Sequence, residues 1–287
     1  MPTSPTATIP HKPTAPGTLD ERSLALRRTI VRTIAAGKRG HLGSAFSLVE
    51  ILRVLYDDIL RYDPARPDWP SRDRCILSKG HGCLALYAML ADKGFFPESE
   101  LWKFCHEDGI LDGHPERGKV PGVEASTGSL GHGLAIGIGF ALSARLARAS
   151  RRIFVIMSDG ESNEGSVWEA AMCAGKHQLS HLTILVDYNK QQSYGRTVEV
   201  LDLEPFAEKW RAFGFAVEEV DGHAVGPLRS LLSRVPFHPH KPSAIICYTV
   251  KGKGAPFAEG NPEWHHKNKV TDDEVRALLA ALEPADA

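Results

Sequence analysis

The stretch IFVIMSDGESNEGSVWEAAMCAGKHQLSHLTILVDYNKQQ, residues 153 to 192, contains two apolar runs that end alike. Ile153 to Met157 stops at Ser158-Asp159-Gly160, and Leu182 to Val186 stops at Asp187-Tyr188-Asn189. Short runs of this kind, bounded by turn residues, read as buried strands, and residues from about 164 to 178 read as the helix between them. A strand, a helix and a second strand make a parallel pair with a crossover, and in such sheets ligands collect at the carboxyl ends of the strands. Asp159 and Asn189 both fall there, thirty positions apart, so their side chains can stand side by side. Taken singly, Asp159-Gly160 reads as a turn and Asn189 as a loop cap. Taken together they are two hard oxygen donors, suited to Mg²⁺ or Ca²⁺, and Mg²⁺ in particular completes its octahedron with phosphate oxygens and water. The pair therefore implies a diphosphate-bearing ligand. Gly160 lets the chain approach it, and the helix that begins near Glu164 is expected to aim free N–H groups at it.

Outward from this unit the same alternation continues. Upstream, LDERSLALRRTIVRTIAAG reads as an amphipathic helix ended by Gly37, KRGHLGSAFS as a loop, and SLVEILRVLYDDIL as a second helix. RDRCILS is a short strand leading into the loop KGHG and the helix CLALYAMLADKG, and EASTGSLGHGLAIGIGFALSARLARA is a turn followed by a Gly/Ala-rich helix. Downstream, the helix EPFAEKWRAFG, the strand AVEEV, the helix VGPLRSLLSRV and the strand AIICYTV follow in order. TDDEVRALLAAL is a terminal helix with a capping box, Thr271 with Glu274. The expected fold class is α/β, a doubly wound, mainly parallel sheet with helices on both faces. Residues 19–287 read as one domain, and 1–18 as a disordered Pro/Thr-rich tail.

Composition narrows the class of partner. Lys+Arg 34 against Asp+Glu 35, with no run of like charge, argues against nucleic acid or an anionic membrane. The odd number of cysteines, 5, lacks paired CxxC spacing and suits a reducing, cytoplasmic setting. No apolar run is long enough to span a bilayer, and the N-terminus lacks signal-peptide features. Five of the 13 histidines follow a glycine directly: His41, His81, His114, His132 and His223. Such loops put a proton-exchanging ring where a ligand can approach the backbone. Zinc is a poor reading of GHGC, because His81 and Cys83 lack a second ligand pair at suitable spacing. The glycines of GHGLAIGIG miss the dinucleotide-binding register.

The span 153–192 resembles the thiamine diphosphate binding motif, a Gly-Asp-Gly at one strand end with an Asn about thirty residues on, and EGSVWEAAMCAGKHQLSHLTILVDYNKQQSYG is similar to transketolase. Ser158 stands where the first glycine is usual, with little consequence expected. The resemblance implies that thiamine diphosphate is bound through Mg²⁺, with Ca²⁺ or Mn²⁺ as substitutes, and that Asp159, Asn189 and the carbonyl of Gln191 hold the metal. RGHLGSAFS, RDRCILSKGHG, DGHPERGKVPGVEASTGSLGHG and VKGKGAPFAEGNPEWHHK resemble further transketolase segments in the right order. They imply a catalytic set of His41, His81, His114 and His265, with His266 the near rival of the last. His81, Gly128, Leu130, Gly160, Glu164, Asn189 and His265 would form the cofactor-binding set, with Glu164 at an interface that couples paired sites. His132 and His223 read as structural or supporting residues, and His177 and His181 as surface or capping groups.

The cofactor would do the hard chemistry of two-carbon ketol transfer, while neutral histidines move protons on the sugar. Residues 20 to 270 resemble only the first domain of transketolase. That implies the N-terminal subunit of a split enzyme, completed by a separate C-terminal subunit with a pyrimidine-binding domain, as a heterotetramer of two of each. The competing expectations are the α-subunit of another two-component thiamine diphosphate enzyme, a 2-oxoacid dehydrogenase or an acyloin synthase, and a non-catalytic homologue.

Overall fold

The computed structural model describes residues 19–283, so the expected tail at 1–18 lies outside the described residues. Five strands form one parallel sheet: β1 (Arg74–Leu77), β2 (Ile153–Ser158), β3 (Leu182–Tyr188), β4 (Ala216–Asp221) and β5 (Ser243–Tyr248). Their spatial order is β1-β2-β3-β5-β4, with Ile153 opposite Leu182 and Ser158 opposite Asp187 across the central pair.

Alternation along the strands divides the core in two. Phe154, Ile156, Leu185, Ile245 and Cys247 face one apolar cluster, and Ile153, Val155, Met157, Ile184, Val186 and Ile246 face the other. The first cluster is closed by α1 (Glu21–Gly37), α2 (Leu42–Phe46), α3 (Val49–Val54), α4 (Cys83–Asp92), and, from the end of the chain, the helices 225–232 and 272–281. The second is closed by α5 (Gly133–Leu146), α6 (Gly165–Lys176) and, after the single turn α7 (Thr197–Val200), by α8 (Phe206–Ala212). With α9 (Val225–Leu232) and α10 (Asp272–Ala281) the fold is the doubly wound α/β arrangement, helices on both faces. Among the described residues no helix is long and apolar enough to cross a membrane.

Three local features add to the sequence reading or depart from it, each with a physical cause. Gly37 is the last residue of α1, and Lys38, at φ 53°, makes the left-handed cap. Gly37 is small because a Cβ there would stand 2.6 Å from the Phe104 ring. The loop at 38–47 contains α2, and the expected second helix is α3 continued by a π turn over Leu55–Ile59. β3 runs two residues past its apolar run, carrying the charged Asp187 into the buried sheet.

Candidate active site

The carboxyl ends of β2 and β3 place Asp159 and Asn189 on neighbouring strands, and Asp159 is fully buried. The Asp159 carboxylate accepts from Gly160 N at 2.7 Å and from Lys190 N, which ties the end of β2 to the turn after β3. In that turn Asn189 Oδ1 accepts from Gln191 N at 3.1 Å, and the Gln191 carbonyl accepts from Lys251 Nζ at 2.8 Å. Burial, then the nearby Asp187, push the Asp159 carboxyl above its ordinary range. The set of a buried carboxylate, an amide oxygen and a main-chain carbonyl has the hardness that Mg²⁺ or Ca²⁺ requires, and a divalent cation would favour the ionised Asp159. Among the described residues no group of three or more His, Cys, Asp or Glu side chains is placed to hold a metal.

Two lysines border these groups. Lys79 and Asp187 are both fully buried and form an ion pair, while Asp187 also accepts from Ser47 Oγ at 2.6 Å and from Thr249 Oγ1. Burial would raise the Asp187 carboxyl, but the Lys79 ammonium outweighs it and holds it below the ordinary value. Lys251 Nζ lies 3.0 Å from Nδ1 of His265. Burial, then the Lys79 charge, lower Lys251.

The helix starts where the sequence placed it, at Gly165 with Glu164 as its N-cap. A 3₁₀ turn, Gly160–Asn163, intervenes before α6. Its early amides are already paired: Glu161 N with Ser158 Oγ at 3.2 Å, and Ser162 N with the Asp159 carbonyl at 2.8 Å. Asp159 is the N-cap of this turn and Ser158 Oγ a second acceptor for it, while the Ser158 N–H donates to Glu161 Oε2 at 3.2 Å. Buried Glu161 reaches further, accepting from Ser78 Oγ and from Gly131 N at 2.9 Å, and so joins three loops at one end of the sheet.

The histidines arrive from four separate segments. Ring centroids of His41 lie 5.4 Å from His81, 6.1 Å from His114, 5.6 Å from His265 and 4.4 Å from His266. His81 and His265 are 5.6 Å apart. Close backbone approach makes this convergence feasible: a Cβ on Gly80 would stand 2.7 Å from the Thr127 main chain, and one on Gly128, at φ 146°, 2.7 Å from the His114 ring. Leu130 is half-buried beside this loop, and Glu164 is exposed at the start of α6. His223 lies apart, its Nδ1 2.8 Å from Glu50 and its Nε2 accepting from Val250 N at 2.9 Å. His132 is exposed with Nδ1 3.1 Å from the Leu130 carbonyl, and His181 Nε2 is 2.7 Å from the Ala141 carbonyl. Cavities of about 420 Å³ by Trp168 and Leu201 and about 190 Å³ by Tyr188 and Tyr248 lie outside the histidine cluster.

Burial, then the neighbouring His266, hold His41 down to about 3, and burial with the Lys251 charge does the same for His265, also about 3. Burial lowers His81 and His114 as well, with Lys79 and His266 as the next causes. All four rings are neutral near pH 7. Because the folded rings resist protons that unfolded ones take near 6.5, the His41 and His265 contribution to stability is complete above pH 6.5 and is lost as pH falls toward about 3. Urea midpoints should fall steadily between pH 7 and pH 4, and the double variant His41→Gln/His265→Gln should flatten that slope; an unchanged slope would assign it to other groups.

Lys79, Lys251, Asp187 and Glu161 escaped the sequence reading. Lysine is read as surface by default. The available signal was position: Lys79 and Lys251 each adjoin a glycine just past a strand, in SKGHG and TVKGKG.

Fold and site together define an α/β domain that gathers hard oxygen donors, two buried lysines and a set of histidines at one end of its sheet. Residues 20–284 match the family model "Transketolase, thiamine diphosphate binding domain", and the chain belongs to that family. The chain is 40% identical to the 6-deoxy-6-sulfo-D-fructose transketolase subunit of Clostridium sp. (strain MSTE9), over 94% of this chain and 98% of that one. It is 42% identical to an apulose-4-phosphate transketolase subunit from Actinobacillus succinogenes, over 92% and 95% of the two chains. Transketolase from Leishmania mexicana superposes with a TM-score of 0.81 at 30% identity, covering 90% of this chain and 43% of its own. The chain thus spans about two fifths of the transketolases of known structure that it matches.

Proposed function

We propose that this chain is the thiamine diphosphate-binding subunit of a two-subunit transketolase, which moves a two-carbon ketol unit from a ketose donor to an aldose acceptor. The observation that carries the reading is the convergence of His41, His81, His114 and His265 at the same end of the sheet as Asp159, Asn189 and Gln191. The separate partner, carrying the pyrimidine-binding domain, is supported by relatives named as transketolase subunits, whose chains this one covers to 98% and 95%. The assembly is two of each subunit, with Glu164 at the interface. The five cysteines, all free, accord with the cytoplasm.

In this reading Asp159, Asn189 and the Gln191 carbonyl hold Mg²⁺, and Gly128, Leu130 and Gly160 lie against the cofactor. When bound, the cofactor supplies a nucleophilic carbon and an electron sink for the two-carbon unit. Lys79 and Lys251 place positive charge beside the diphosphate. With Nδ1 accepting from Lys251, neutral His265 carries its proton on Nε2 and presents a donor. The choice of His265 over His266 is supported by its approach to both His41 and His81, although His266 lies nearer to His41. His41 and His114, neutral and adjacent, can take and return hydroxyl protons of the sugar.

The test is reconstitution. This chain by itself, with thiamine diphosphate, Mg²⁺ and a ketose donor, should show no transfer, and addition of the partner subunit should restore it. Robust transfer without the partner would sink the two-subunit reading, and use of pyruvate but no ketose would move the enzyme to another thiamine diphosphate class. In the reconstituted enzyme His114→Ala should lower turnover about 100-fold, the range of a lost acid–base group, with cofactor affinity nearly unchanged. Equal loss of both would contradict its place on the substrate side.

A further inference from the structure

We infer that Lys190 is a positioning residue that holds the metal-binding turn in shape through its backbone, and that Tyr188 and Tyr248 hold Lys190. The inference rests on the assignment of Asn189 and Gln191 as metal ligands. Lys190 lies between them at φ 60°, a left-handed conformation that side chains other than glycine and asparagine disfavour. Chain reversal at Lys190 lets the Asn189 side chain and the Gln191 carbonyl serve one point, and the turn is closed by the bond from Gln191 N to Asn189 Oδ1. The amide of Lys190 donates to the Asp159 carboxylate, so one residue joins all three oxygen donors. Its carbonyl accepts from Thr197 N at 3.0 Å.

Something must offset a disfavoured conformation at an exposed lysine, and the side chain supplies it. Lys190 Nζ stands 5.5 Å from the Tyr188 ring centroid and 5.6 Å from that of Tyr248. Both are cation–π distances, and the two rings meet edge-on at 5.3 Å. The rings are themselves anchored, Tyr188 by its hydroxyl to Glu204 and by stacking on Phe206 at 5.1 Å, Tyr248 by its hydroxyl to Glu219 at 2.6 Å. The ammonium is thus pinned at one end of the side chain and the left-handed backbone at the other.

The experiment titrates Mn²⁺ into the full-length chain with thiamine diphosphate present and follows free Mn²⁺ by electron paramagnetic resonance. If backbone conformation is what Lys190 contributes, affinity follows tolerance of the left-handed region. Lys190→Val should weaken Mn²⁺ binding by about tenfold or more and Lys190→Ala by several-fold, while Lys190→Gly should stay within about threefold of the natural chain. Tyr248→Leu should weaken binding several-fold with Lys190 in place and add nothing to Lys190→Gly. Equal losses for Lys190→Val and Lys190→Gly, or no loss in either, would overturn the positioning role while leaving the metal site standing. Failure of the natural chain to retain Mn²⁺ with the cofactor would instead overturn the metal ligands, and the role of Lys190 with them. Lys190 is exposed, so all three of its variants should still fold, with the thermal midpoint lowered most in Lys190→Val, whose side chain tolerates the left-handed region least.

Discussion

Asp159→Ala should abolish metal-dependent retention of thiamine diphosphate, with affinity in Mg²⁺ falling at least about 100-fold, since loss of supporting partners alone costs 10- to 100-fold at metal sites. Asp159 is the one anionic member of the proposed donor set, which is otherwise made of the Asn189 amide oxygen and the Gln191 carbonyl. It also holds the donor set together, because its carboxylate accepts from Gly160 N and from Lys190 N. Alanine thus removes a ligand charge and frees the turn that carries the other two. Asp159→Asn separates these effects in part, because it deletes the charge and keeps the shape of the side chain but leaves one oxygen to accept from either Gly160 N or Lys190 N. Calorimetric titration of thiamine diphosphate with and without Mg²⁺ reads both variants. Mg²⁺-dependent affinity equal to the natural chain in Asp159→Ala would remove Asp159 from the site.

Lys79→Met should lower stability by about 3 kcal/mol, the usual result of leaving one partner of a buried ion pair uncompensated. Lys79 and Asp187 are fully buried, and the remaining partners of Asp187, the hydroxyls of Ser47 and Thr249, carry no charge. For a domain of this size that corresponds to a fall of roughly 6–12 °C in the thermal midpoint. Adding Asp187→Asn should recover most of the loss, because the amide keeps a hydrogen-bonding oxygen for a hydroxyl and no charge is stranded. A double variant as unstable as the single one would show that Lys79 acts through packing and not through Asp187. The pair is a poor source of net stability, since an apolar pair of the same volume could do as well. Its value lies in placing a lysine beside the cofactor end of the sheet.

How much of this was legible in the sequence differs between fold and site. Alternating strands and helices, read from apolar runs and their Gly and Asn endings, correspond to the doubly wound parallel sheet because a strand buried on both faces leaves a continuous apolar run. Boundaries were less legible where a polar residue is buried. Asp187 looked like the end of a strand, yet it lies inside one, because Lys79 from a loop more than one hundred residues earlier neutralises it. Gly37 looked like a helix stop and is the last residue of α1, but it also makes a contact with Phe104, a partner that no local pattern reveals.

The chain order of amino acids alone determined the elements, the placement of Asp159 and Asn189 at strand ends thirty residues apart, and the glycine loops that carry His41, His81 and His114. These are local consequences of periodicity and turn chemistry. Tertiary structure decided what meets what: four segments bring their rings together around His41, Lys251 reaches both Gln191 and His265, and Lys190 takes its left-handed turn under two tyrosines from different strands. The physical reason is that burial and charge compensation depend on neighbours supplied by distant parts of the chain, so a residue's protonation, and with it its chemistry, is set only when the fold closes.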